Sequence, residues 1–90
     1  MKIIRRSSKF KKDVKRFLSN ERKMNALLEV VRMLENELPL PLSLKPHMLE
    51  SKWKGYMECH VENDFLLIWI DETTDTIKLV RLGSHSDLFK

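Results

Sequence analysis

Apolar residues recur along this chain with two periods, and the change from one to the other divides it. Residues 2–6 (KIIRR) are a short β-capable run ending at Ser7 and Ser8, either of which can cap a helix. Phe10, Val14, Phe17 and Leu18 then fall on one apolar stripe of helical spacing. A second helix is predicted behind Ser19-Asn20, with Met24, Leu27, Leu28, Val31, Leu34 and Leu38 on its apolar face until Pro39 and Pro41 stop it. Residues 40–52 show no period and read as a loop carrying Lys45 and His47.

Beyond the loop the period shortens to that of strands. Residues 54–61, 65–71 and 76–82 are strand candidates, joined by Glu62-Asn63-Asp64 and Glu72-Thr73-Thr74-Asp75, turns short enough for antiparallel hairpins. In the first, Met57, Cys59 and Val61 alternate with Tyr56, Glu58 and His60, giving one apolar and one polar face. The second, FLLIWID, is apolar on both sides and reads as central. The chain closes on a turn and a short helical tail from Gly83 to Phe89. Two amphipathic helices and one sheet make a two-layer α+β domain spanning residues 1–90: an N-terminal strand, two helices, a three-stranded antiparallel meander and a C-terminal helical turn. One sheet face takes the helices, and the other is left partly open.

Length and composition narrow the function. Ninety residues, 42% of them hydrophobic, supply one core and no second domain. No apolar run approaches the roughly 20 residues of a membrane span, and the basic start lacks the apolar stretch of a secretory signal. The single cysteine, Cys59, excludes an internal disulfide and a multi-thiol zinc site, which fits a reducing cytoplasm. The net charge of +4 is unevenly spread. Residues 1–23 hold ten Lys and Arg against Asp13 and Glu21, whereas the remainder is net acidic. A basic end of this strength suits a polyanion or an acidic protein partner, although a solvated helix face carries the same charges.

Two motifs add specificity. The run His47-Met48-Leu49, then Trp53-Lys54, then His60-Val61-Glu62-Asn63-Asp64, resembles the pattern of the YafQ branch of the RelE-like toxins, and so does the ending Arg81-Leu82-Gly83-Ser84-His85-Ser86-Asp87-Leu88-Phe89. The resemblance covers nearly the whole chain. It implies a RelE-like fold and the toxin of a type II toxin–antitoxin module, a metal-independent endoribonuclease that cleaves messenger RNA on the ribosome and needs no cofactor. It further implies that His47, His60, Asp64 and His85 are catalytic, that Arg81 binds phosphate and that Phe89 is the terminal aromatic of the site. Phe65 stands where some members have tryptophan, which keeps a stacking surface without the indole N–H. The expected partners are messenger RNA, the ribosome and an antitoxin whose acidic segment wraps the basic helices.

The chemistry of these residue types agrees. Metal-free RNA cleavage needs a base for the ribose 2′-OH proton, an acid for the departing 5′-oxygen and cationic donors for the charge on phosphorus. Histidine suits the first two roles because it titrates near neutrality. His85 is the expected acid, Asp64 or His60 the base, and Arg81 the cation, with His47 holding substrate. Glu58 shares the face of His60 and is placed to orient a histidine or an arginine, or to act as base. Lys52, Trp53, Lys54, Glu58 and Phe65 are candidate RNA contacts, with Trp53 and Tyr56 able to stack bases. Cys59 and Trp69 read as packing residues. Two other functions remain on the table: a non-catalytic ParE-like toxin, which would lack this histidine set, and a basic nucleic-acid-binding module, which would leave the histidine motifs unexplained.

Overall fold

The computed structural model describes residues 1–89; Lys90, the last residue of the expected domain, lies outside the described residues. A first strand, β1 (Ile3–Arg6), leads into helix α1 (Ser8–Lys15). Ser7 makes the transition: its hydroxyl accepts the Phe10 N–H at 2.9 Å and donates to the Val80 carbonyl at 2.7 Å, tying the cap to the last strand. The helix stops earlier than the apolar stripe suggests. Phe17 is carried by the turn after it and packs on Phe65 with ring centroids 4.8 Å apart, while Leu18 is exposed.

Helix α2 (Glu21–Glu35) is capped by the Asn20 side chain, which accepts the Lys23 N–H. Leu27, Val30 and Leu34 form its buried face, whereas Leu28 is exposed. It ends before the prolines because Asn36 turns its side-chain amide onto the Arg32 carbonyl and Glu37 takes the left-handed conformation at φ 57°. Leu38 therefore lies outside the helix and is exposed.

The remaining chain forms β2 (His47–Met48), β3 (Met57–Glu62), β4 (Phe65–Asp71), β5 (Thr76–Gly83) and a short helix α3 (His85–Leu88). The sheet order is β1-β5-β4-β3-β2, with β1 parallel to β5 and the other pairs antiparallel. The expected meander and helices are present; the difference is a fifth strand, β2, in the segment read as a loop. Its two residues have no period of their own and are ordered by pairing with Met57 and Glu58.

The two faces of the sheet are covered unequally. Phe10, Leu27, Val30 and Leu34 pack with Cys59, Val61, Phe65, Leu67, Trp69, Ile77, Leu79 and Leu82 into the main core on the helix side. On the other side, among the described residues, Leu66 and Ile68 are covered by Leu88 and by part-buried Leu49, Trp53, Tyr56, Val80 and Phe89. Truncating a fully buried leucine such as Leu67 or Leu82 to alanine would cost about 2–5 kcal/mol at such positions. The same alternation that sends Met57, Cys59 and Val61 inward turns Glu58 and His60 to the thinly covered face.

Candidate active site

Glu58 and His60 begin the site. The pairing of β2 with β3 sets His47 opposite Glu58, and Lys45, left-handed at φ 51°, turns the chain into that pairing. His47 Nδ1 lies 2.7 Å from the Lys45 carbonyl and its Nε2 lies 3.2 Å from Oε1 of Glu58. A carbonyl can only accept, so Nδ1 is the donor to Lys45, and Nε2 faces the Glu58 carboxylate at ion-pair distance when the ring is protonated. Glu58 is 5% exposed, and its Oε2 is buried with no hydrogen-bond partner among the described residues.

The turn between β3 and β4 supplies Asp64 in the left-handed conformation at φ 52°. Its Oδ1 accepts the backbone N–H of His85 at 2.9 Å, which ties the turn to the start of α3. Ser84 and Asp87 build a reciprocal cap there: the Ser84 N–H donates to Oδ2 of Asp87 at 3.0 Å, and the Asp87 N–H donates to the Ser84 hydroxyl at 3.1 Å. These bonds, with the Arg16 guanidinium 3.2 Å away, hold the Asp87 carboxyl below its ordinary value. Glycine at 83 leaves room for this cap, since a Cβ there would approach Oδ2 of Asp87 to 3.0 Å and press on it.

The result is a cleft of about 330 Å³ lined by His47, Glu58, His60, Asn63, Asp64, Leu66 and His85. The Phe89 ring stands 5.0 Å from that of His85 and 6.2 Å from that of Trp53, which meets Tyr56 edge-on at 5.3 Å. These aromatics lead to a second hollow of about 350 Å³, where Lys52, Trp53 and Phe89 are among the lining residues. Lys52 and Lys54 are exposed beside it. Among the described residues, no three His, Cys, Asp or Glu side chains are arranged to hold a metal ion.

Two expected residues are placed differently. Phe65 is fully buried on the helix side, under Phe17 and with the Lys23 ammonium 5.0 Å from its ring, so it packs the core and offers no stacking surface. The alternation of Phe65, Leu67 and Trp69 along β4 requires this placement. Arg81 does address an anion, but an internal one: its Nε and Nη2 donate to the Asp13 carboxylate at 2.8 and 3.3 Å. The Arg81 guanidinium is consequently held above its ordinary value, first by the hydrogen bond to Asp13. Asp13, 6% exposed, also accepts the Leu82 N–H at 2.9 Å. The residue types gave no reason to single out Asp13, yet a signal existed. It is the only acid of α1 and lies three residues after Phe10, on the apolar side of an otherwise basic helix. Cys59 is buried and its thiol is pushed up to about 12 by burial and by the nearby Glu58 carboxylate, as suits a packing residue.

A family model described as the bacterial toxin of type II toxin-antitoxin system, YafQ, matches residues 2–90. The mRNA interferase toxin YafQ of Escherichia coli strain B is 42% identical over 84 residues, covering 92% of this chain and 90% of the relative. Among solved structures, a metal-bound toxin from Helicobacter pylori is 41% identical with a TM-score of 0.88, over 99% of this chain and 100% of that one. The E. coli DinJ-YafQ complex aligns at 40% identity with a TM-score of 0.86, over 100% of both chains.

Proposed function

This chain belongs to the YafQ family of bacterial type II toxins, and from that membership we propose that it is an endoribonuclease that cleaves messenger RNA engaged by the ribosome. The observation that carries the reading is the gathering of His47, His60 and His85 with Glu58 and Asp64 around one cleft. The three histidines come from β2, β3 and the start of α3, and a binding module has no need of three imidazoles in one place.

The roles follow from how each group is already engaged. Asp64 spends one oxygen on the His85 N–H, and Glu58 spends one on His47. Both carboxylates thus orient histidines, and His60 is the group that takes the ribose 2′-OH proton. The freed 2′-oxygen attacks phosphorus, and His85 as imidazolium protonates the departing 5′-oxygen. Arg81 supplies positive charge to the phosphorane, because a guanidinium stays protonated but is too weak an acid to replace His85. The products are a 2′,3′-cyclic phosphate and a 5′-hydroxyl. No metal is required by this proton balance. The test is incubation of the pure protein with a defined RNA in excess chelator, beside a His85→Ala control, followed by end-group analysis. Cleavage that stops with the chelator and returns with one metal, or products bearing 5′-phosphates, would refute the mechanism.

An antitoxin completes the reading, as the E. coli relative was crystallised in complex with DinJ. In this chain Lys11, Lys12 and Lys15 are exposed on α1, and a shallow apolar groove of about 180 Å³ runs between α1 and α2 past Phe10, Val14, Leu28 and Val31. An antitoxin segment with acidic residues flanking apolar anchors fits that surface.

A further inference from the structure

Asp13 is a buried carboxylate in a helix otherwise rich in lysine, and burial of that kind is costly unless the charge is paired. Its surroundings show what the pairing accomplishes. The β1 strand covers the edge of β5 only as far as Leu79, with Ser7 bonding the Leu79 and Val80 carbonyls just beyond. From there no strand pairs with the edge among the described residues, and one Asp13 oxygen takes both the Leu82 N–H and Nε of Arg81. A neutral acceptor would satisfy the Leu82 N–H alone. The carboxylate adds a two-point grip on the guanidinium, which fixes the plane of that group.

The gripped arginine is outside the lining of the cleft but shares a cross-strand row with two of its residues. His47 pairs with Glu58, Glu58 with Ile68 and Ile68 with Arg81, one row across four strands. At about 4.8 Å per strand, the Arg81 backbone is roughly 10 Å from that of Glu58, within reach of a long side chain. Asp13 occupies two of the five guanidinium N–H donors, and three remain. One turn further along the chain, Arg16 reaches Asp87 at 3.2 Å, on the far side of the Gly83-Ser84-His85 segment. The first helix and the turn that follows it therefore hold the chain on both sides of the proposed acid.

We propose that Asp13 is a positioning residue for RNA cleavage: it fixes the plane of Arg81 so that the three free donors meet the scissile phosphate beside His85. The inference rests on the nuclease reading of the cleft. Asp13→Asn keeps the size of the side chain and an acceptor for the Leu82 N–H but cannot accept from Arg81 with both oxygens. It should fold, lower kcat by about 10- to 100-fold through misplacement of the cation, and leave KM for RNA unchanged or reduced. In an Arg81→Ala background the same substitution should have no further effect on kcat. An unchanged kcat in Asp13→Asn, or an equal loss with and without Arg81, overturns the proposal and leaves Asp13 a structural residue.

A second measurement does not depend on the stability of the variant. In the parent protein the Arg81 side-chain N–H resonances should shift on saturation with an RNA analogue carrying 2′-deoxyribose at the cleavage site, while the Leu82 amide stays protected. Arg81 resonances that do not move overturn the proposal. A parent protein that neither binds nor cleaves RNA overturns instead the reading of the cleft.

Discussion

Glu58 places one carboxylate oxygen 3.2 Å from Nε2 of His47 while its other oxygen is buried with no hydrogen-bond partner among the described residues. Buried acceptors are nearly always satisfied, so this pair concentrates stress in one spot. His47→Ala should then cost more than loss of an exposed loop histidine, because it strands the whole Glu58 carboxylate; about 1–3 kcal/mol is expected. Glu58→Gln should recover part of that loss by removing the buried charge. Thermal melts of the two single variants and the double variant check this, and additive losses would argue against the coupling.

His85 and Arg81 should separate in kinetics. His85→Ala is expected to lose about 10²- to 10⁴-fold in rate, the usual range for a general acid, with RNA affinity nearly intact. Arg81→Ala should lower both rate and affinity, since it removes charge in the ground state as well. Single-turnover cleavage combined with equilibrium binding to an uncleavable RNA distinguishes the two patterns.

Cys59 should be chemically silent in the folded protein. With its thiol pushed up to about 12, roughly one part in 10⁴ is thiolate at pH 8, and burial excludes reagents as well. Alkylation should wait for unfolding. The raised folded value also fixes an alkaline trend: this contribution to stability is complete below the thiol's ordinary value of 9.0 and is lost as pH rises from there toward 12. Urea melts across that window should show a slope that Cys59→Ala lacks.

Asp87 sets the opposite trend at acid pH. Its carboxyl is lowered first by the Ser84 backbone N–H, then by the Ser84 side chain and Arg16, so its support of the C-terminal turn is present above the ordinary value of 3.8 and is lost as pH falls below it. The Leu88 and Phe89 amides, bonded to the Ser84 and His85 carbonyls, should exchange faster under those conditions. Ser84→Ala removes the other half of the cap and should weaken the turn by about 1 kcal/mol at any pH. Exchange rates followed by NMR from pH 6 to pH 3 test both statements.

Antitoxin binding should weaken as salt rises. With the lysines of α1 exposed, charge pairing contributes to encounter and affinity and is screened over a Debye length of about 8–10 Å at ordinary ionic strength. Replacing Lys11, Lys12 and Lys15 with Gln should flatten the salt dependence measured by titration calorimetry. An affinity indifferent both to salt and to these charges would exclude this docking mode.

The helices were legible from their apolar stripes and the meander from alternation or, in Phe65–Asp71, from a short apolar run bounded by turns, which coincides with its expected span. What escaped reading depends on contacts distant in sequence. His47-Met48 becomes a strand only through β3, and Phe17 continues the core after α1 has ended. The site divides in the same way. The histidines and Asp64 stand out by residue type and motif, whereas Asp13 needs knowledge of where the edge of β5 lies uncovered. Phe65 misled because its motif position outweighed the alternation that buries it.

The place of β5 in the sheet also bears on synthesis. The strand lies between β1 and β4, so the N-terminal strand waits for a partner more than 70 residues downstream (Ile3 with Thr76), and Arg81, His85 and Phe89 arrive later still. Until that stretch leaves the ribosome, the nascent chain has neither a closed sheet nor the residue proposed as the acid, and a growing chain folds only what has emerged. The cleft can close only after β5 has paired on both sides.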